Sequence, residues 1–171
     1  VSPGSAHEEA AERLATLVMA LCQELGLKYK ALASTTWTLP FGAGDTAYEA
    51  DKAYYIQSFG AVPPGRPPDL AIEVVVSHPE AKALRAGALL GIPELWVLDV
   101  PGHRLIFHRL ATRGPHKGAY LARPRSGALS VLTAAEVLDR LDDPEPDDTA
   151  YLRNCRDWAR RVLLPRRRDR R

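Results

Sequence analysis

Cysteine is scarce: Cys22 and Cys155 are the only two, each in a helix-patterned segment, and neither belongs to a CxxC pair. That spacing offers no disulfide framework and no zinc site, so both are expected as buried free thiols. Long apolar runs are missing too. No stretch of eighteen or more apolar residues occurs, and the opening VSPGSAHEE has neither a basic start nor an apolar signal core. These features predict a soluble, cytoplasmic protein. No internal repeat is visible. A strong net charge is also lacking, at +2 overall, and even that is local: residues 166–171 hold five Arg and one Asp, so removing their +4 leaves −2.

What remains is a chain of 171 residues, 46% of them hydrophobic, enough for one domain with a substantial core. His7, Ala11, Leu14, Val18, Leu21 and Leu25 recur at intervals of four and three, which predicts an amphipathic helix over 7–25 stopped by Gly26. Residues 28–39 are rich in β-branched and aromatic side chains and read as one or two strands before a turn at 40–45; a third strand covers about 46–56. Six Gly or Pro in nine residues at 60–68 break the chain before the most strand-like run, 69–76. Ser77 and Glu80 have capping-box spacing with Pro79 between them, predicting a helix that ends before Gly91. Strands at 95–100 and 104–110 flank Pro101 and Gly102, a pair suited to a type II turn. A short strand near 118–123, a helix at 133–141 capped by Thr133 with Glu136, an acidic linker at 142–148 and a helix at 149–164 complete the pattern. Helices interspersed with strands predict an α/β (α+β) domain, a mixed sheet flanked by helices.

Two acids on these strands call for an explanation, because an unpaired carboxylate on a buried strand is costly. Asp69 and Glu73 share one face of their strand but stand roughly 13 Å apart, too far to hold one ion directly. If the hairpin folds symmetrically about Val62, residues whose numbers sum to 124 face each other, and Asp51 becomes the neighbour of Glu73. Two carboxylates on strands about 4.8 Å apart repel unless protonated or bridged by a cation, and an oxygen-only site suits Mg²⁺ or Mn²⁺. A second reading stands beside this one: Asp51 and Asp69 lie at strand ends in water, and Glu73 pairs with a Lys or Arg.

The segments ASTTW (33–37), EADKAYYI (49–56), PPDLAIEVVV (67–76), LGIPELWVLD (90–99) and RDWAR (156–160), in this order, resemble the Uma-type restriction endonuclease family, formerly a domain of unknown function. The resemblance spans about His7 to Arg160. It implies a PD-(D/E)XK nuclease fold, a restriction-endonuclease-like mixed sheet flanked by helices; with the pattern above, the domain is expected at 1–141, followed by the acidic linker 142–148, a helix packing on the domain at 149–164 and a basic tail at 165–171.

By the same resemblance Asp51 and Glu73 take the positions of the two metal-binding acids, Mg²⁺ or Mn²⁺ is the cofactor, and DNA is the substrate. The superfamily's usual lysine, two residues after the second acid, is replaced by Val75. In this family the base often comes from the following helix, where the expected position falls on Ala83; Lys82 is next to it and is the candidate, with Arg85 in reserve. Gly87 stands where a tyrosine is frequent. His7 resembles an N-terminal histidine of the family but equally suits a helix start or the core, so it and Glu12 are left off the site. Trp37, Tyr54, Tyr55 and Trp96 could stack on bases but fit the core as well, and the Arg-rich tail could touch phosphates. The expected function is a metal-dependent endodeoxyribonuclease with Asp51, Glu73 and Lys82 as its site; a double-strand cut needs two active sites or two visits, which makes a two-fold homodimer a reasonable expectation. The alternative is a catalytically impaired nucleic-acid-binding or mobile-element-associated module on the same fold.

Overall fold

Leu70, Ile72 and Val74 point to one side of their strand, and Ala71, Glu73 and Val75 to the other. Apolar residues on both parities require cover on both faces. The computed structural model, which describes residues 3–32, 35–38, 47–57, 65–76 and 80–168, places this strand inside a six-stranded mixed sheet. The strands are β1 (Tyr29–Leu32), β4 (Lys52–Ile56), β5 (Leu70–Val75), β6 (Glu94–Asp99), β7 (Arg104–Leu110) and β8 (Tyr120–Arg123), in the order β1-β4-β5-β6-β7-β8. β5 and β6 run parallel, joined through helix α2 (Ala81–Leu90), and the other neighbours are antiparallel. β2 (Thr36–Thr38) and β3 (Ala47–Glu49) form a separate two-stranded sheet.

Each face of the large sheet has its own apolar cluster. Leu70, Ile72, Val74, Trp96 and Phe107 pack with Leu14, Leu17 and Leu21 of α1 (Pro3–Glu24) and Val137 of α3 (Ala134–Leu141). Tyr151 and Cys155 of α4 (Asp148–Trp158) join the same cluster, so the C-terminal helix is part of the core. On the opposite face Ala71, Leu95 and Val97 meet Ala86 of α2 together with Trp37 and Tyr48 of the small sheet. Trp37, Tyr54, Tyr55 and Trp96 are all buried, which makes them core residues and leaves none of these four rings exposed for base stacking. Both cysteines are buried free thiols, and burial pushes Cys155 up to about 11. Among the described residues no helix is long and apolar enough to cross a membrane.

Several local expectations are corrected. The strand foreseen at 46–56 is broken between β3 and β4, and the two pieces belong to different sheets. Helix α1 starts at Pro3 rather than at His7. Glu80 is the N-cap of α2 and makes no side-chain cap bond, so it is not the third helical residue of a capping box; Ser77 and Pro79 lie outside the described residues, as do the turn at 40–45, Val62 and the tail end at 169–171. In the β6–β7 turn the positive φ falls on His103 (44°), not on Gly102 as a type II turn requires; His103 N–H bonds Val100 O, and Gly102 N–H is held by Asp99 Oδ1 at 3.1 Å. The last helix does not stop at 164. A π-helical stretch, Ala159–Leu163, leads into α5 (Leu164–Arg168), and this wider turn accommodates Pro165, which has no N–H to give. The predicted Thr133–Glu136 capping box is present with both of its bonds.

Candidate active site

The β4–β5 hairpin has the register derived from its symmetry. Lys52 pairs with Ile72, Ala53 with Ala71 and Tyr54 with Leu70, each pair summing to 124. One step further, Asp51 stands beside Glu73. The backbone ladder ends at Lys52, and Asp51 takes over the next acceptor role with its side chain: its Oδ2 accepts the Val74 N–H at 2.7 Å. The same oxygen lies 3.2 Å from His7 Nε2, on the first turns of α1, and because a carboxylate can only accept, the imidazole donates there. The interruption between β3 and β4 at Ala50 and Asp51 is therefore what aims this carboxylate at the sheet.

Glu73 faces α2 and the small sheet. Tyr48 of β3 donates its hydroxyl to Glu73 Oε1 at 2.5 Å. Burial raises the Glu73 carboxyl to about 7; the Tyr48 hydrogen bond pulls it down, nearby Asp51 pushes it up and His7 lowers it. Burial is the largest of these, so Glu73 is a carboxylate that ionises reluctantly. Tyr48 is raised beyond the ordinary phenol range by its own burial and by Glu73, so it acts as a donor throughout the physiological range. Each acid keeps one oxygen unengaged: among the described residues, Asp51 Oδ1 and Glu73 Oε2 accept no hydrogen bond.

A cleft of about 350 Å³ opens over Glu73, with His7, Tyr48, Val75, Glu80 and Lys82 in its walls. Asp51 adjoins the cleft through His7 and Val74, two lining residues that its Oδ2 touches. Lys82, one residue into α2, borders the same cleft as Glu73, whereas Arg85, a turn later, is exposed outside it. Val75, in the position of the usual lysine, is half-buried. Glu12 is turned away to an ion pair with Lys52. Among the described residues no three His, Cys, Asp or Glu side chains come together as a metal cage.

Sequence reasoning missed Tyr48 and left His7 aside. Strand alternation puts Tyr48 and Asp51 on opposite faces, and only the break between β3 and β4 brings them to one site. His7 carried a usable signal, being a polar residue in line with the buried face of α1. At Gly87, where the resemblance leads one to expect a tyrosine, a Cβ would lie 2.8 Å from the hydroxyl of Tyr120, which donates to Ile92 O at 2.7 Å. A phenol from β8 thus fills the space beside α2.

A six-stranded mixed sheet with one parallel pair, helices on both faces and two acids where β4 and β5 meet defines a restriction-endonuclease-like α/β domain. The family model Uma2, described as "Putative restriction endonuclease", matches residues 1–142, and the chain belongs to this family. The match runs from α1 through α3 and ends before α4. No curated protein matches the chain.

Proposed function

We propose that this protein is a Mg²⁺- or Mn²⁺-dependent DNA endonuclease that hydrolyses phosphodiester bonds, with Asp51 and Glu73 as metal ligands and Lys82 assisting in the same cleft. The observation that carries this reading is the pair of unengaged oxygens, Asp51 Oδ1 and Glu73 Oε2, on two neighbouring carboxylates whose mutual repulsion helps raise Glu73 to about 7. A hard divalent cation fits this donor set, because Mg²⁺ binds through one or two carboxylates and keeps its other positions for water and phosphate oxygens. Bound there, the ion would polarise the phosphoryl oxygen and acidify a water.

The chain's own groups do the rest. Val74 N–H and His7 hold Asp51 by one oxygen, which fixes the direction of the other. Tyr48 does the same for Glu73, and its hydrogen bond favours the ionised form that a ligand must have. Lys82 brings an ammonium to the cleft, suited to neutralising phosphate charge and orienting the attacking water. Arginine, effectively always protonated, would serve poorly as a base, which also disfavours Arg85.

A second reading, a nucleic-acid-binding module without catalysis, draws support from Val75, which removes the superfamily's usual lysine position from service. Nicking of supercoiled plasmid distinguishes the two. The enzyme cuts with Mg²⁺ or Mn²⁺ and loses activity in Asp51→Asn and in Glu73→Gln. DNA binding without cleavage under any divalent ion supports the second reading, and cleavage that survives both substitutions removes this site from consideration.

A further inference from the structure

Charge is segregated along this chain more sharply than its total suggests. Between residues 100 and 135 there are six Lys or Arg and no Asp or Glu, whereas residues 1–99 carry twelve acids and seven bases. The basic segment is the outer margin of the sheet: β7, the turn after it, the edge strand β8, and the chain leading to α3. Arg104, Arg109, Arg113, Lys117, Arg123 and Arg125 are all exposed. Arg104 has the one ion pair among them to a described residue, at 3.9 Å from Asp99. The tip is held in shape by backbone bonds, Gly118 N–H to Ala111 O at 2.8 Å and Ala111 N–H to Ala119 O at 2.9 Å. Its charges are therefore presented by an ordered turn.

The Arg104 end of this margin adjoins the candidate active site. Val75, Asp99 and Arg104 stand side by side across three strands, on the same face as Glu73. A second cavity, of about 410 Å³, runs from Val75, Val76 and Glu80, which also wall the site cleft, to Asp99 and Arg104. From β5 to β8 is three strand spacings, roughly 14 Å, less than half of the ~34 Å turn of a duplex. Arg123, opposite Phe107, points to the other face from Glu73, and Arg113 and Lys117 sit in the turn beyond Leu110 at the Glu94 end of the sheet, so a duplex that serves both the cleft and these cations runs along the β8 edge rather than over the Glu73 face. Cations are also a usual protection of a sheet edge against pairing, but Arg113 and Lys117 lie in the turn beyond the paired strands, where that role does not call for them, and they point instead to a polyanion.

We infer that the β7–β8 margin is the docking surface for the phosphate backbone of duplex DNA, with Arg104 at its cleft end and Arg113, Lys117 and Arg123 further out. The inference rests on the nuclease reading only for the choice of duplex DNA as the polyanion. Its test measures binding apart from cleavage. Anisotropy of a labelled duplex about two helical turns long is followed against salt in EDTA. Three full-length proteins are compared: wild type, Arg113→Gln/Lys117→Gln/Arg123→Gln, and an equal charge loss elsewhere, Lys30→Gln/Arg153→Gln/Arg161→Gln.

The edge variant is expected to bind at least about 10-fold more weakly, and its salt slope to fall by about 0.9 for each phosphate it no longer neutralises. The control should stay close to wild type. Circular dichroism melting checks the fold, and the single reversal Lys117→Glu, expected to weaken binding in the same direction, stands in if the triple variant does not fold. Equal losses in both triple variants, an unaffected edge variant, or wild type that ignores duplex while binding phosphatidylserine vesicles through this edge would each overturn the inference. If the binding contrast holds but no divalent ion yields cleavage, the catalytic reading fails and the docking surface stands.

Discussion

Glu73 and Glu94 lie on neighbouring parallel strands, at opposite ends and on opposite faces of the sheet, and the protein treats them in opposite ways. Glu94 is only 3% exposed and its carboxylate is saturated: Oε1 accepts from Trp96 Nε1 and Ser126 Oγ, both at 2.6 Å, and Oε2 from the backbone N–H groups of Gly127 and Ala128. A Cβ at Gly127 would lie 2.8 Å from Glu94 Oε2, so the chain passes as close to the acid as glycine permits. Among the described residues Glu73 has one donor, Tyr48, and it lines a cleft. A saturated buried acid ties a loop to the sheet, and an unsaturated one remains available to a ligand. The cavity at the Glu94 end, about 400 Å³, therefore surrounds an acid with little capacity left to bind anything.

Substitutions at the two acids should separate these roles. The largest effect is expected from Glu73→Gln or Asp51→Asn, which should reduce plasmid nicking to background while the protein still folds, as measured by gel assay and thermal melting. Next comes Glu94→Ala, which leaves the Trp96, Ser126, Gly127 and Ala128 donors without their acceptor. With each buried unsatisfied group costing about 1–3 kcal/mol, the loss in urea denaturation should be at least about 3 kcal/mol. A stable Glu94→Ala protein, or an unfolded Glu73→Gln protein, would break the contrast.

The pH dependence of stability offers a finer test. Glu73 ionises at about 7 in the folded protein against a reference value of 4.5, so within that window the folded state holds a proton that the unfolded state has released. Its contribution is fully present below 4.5 and lost as pH rises through about 7. This loss, on the order of 1–3 kcal/mol, should be visible as falling stability between those values and should disappear in Glu73→Gln.

Smaller again is Tyr48→Phe. Removing the one described donor to Glu73 should move the rising limb of the activity profile to higher pH and weaken metal binding by about 10-fold or somewhat more. Lys82→Ala should slow cleavage more than Arg85→Ala does; equal effects would mean that the cleft wall at Lys82 has no role in the chemistry.

The same two acids show how far the sequence could be read. Asp51 as neighbour of Glu73 follows from hairpin symmetry, since a strand pair has a single register and the observed one agrees. The Thr133 cap was equally accessible because all of its partners lie within one helical turn. Glu94 was not singled out because its partners at 126–128 lie more than thirty residues away and meet it only after the sheet has formed. Tyr48 was hidden for a related reason: period-two alternation holds within a strand, and the strand here breaks between Tyr48 and Asp51. The turn at His103 differs from expectation because Asp99 holds the Gly102 N–H and the left-handed residue falls one position later.

The central claim is that Asp51 and Glu73 together hold a divalent cation, and Mn²⁺ titration followed by electron paramagnetic resonance tests it directly. A saturable site is expected in the wild-type protein and should be lost in Glu73→Gln. Equal Mn²⁺ binding by the two proteins, or none by wild type, would contradict it.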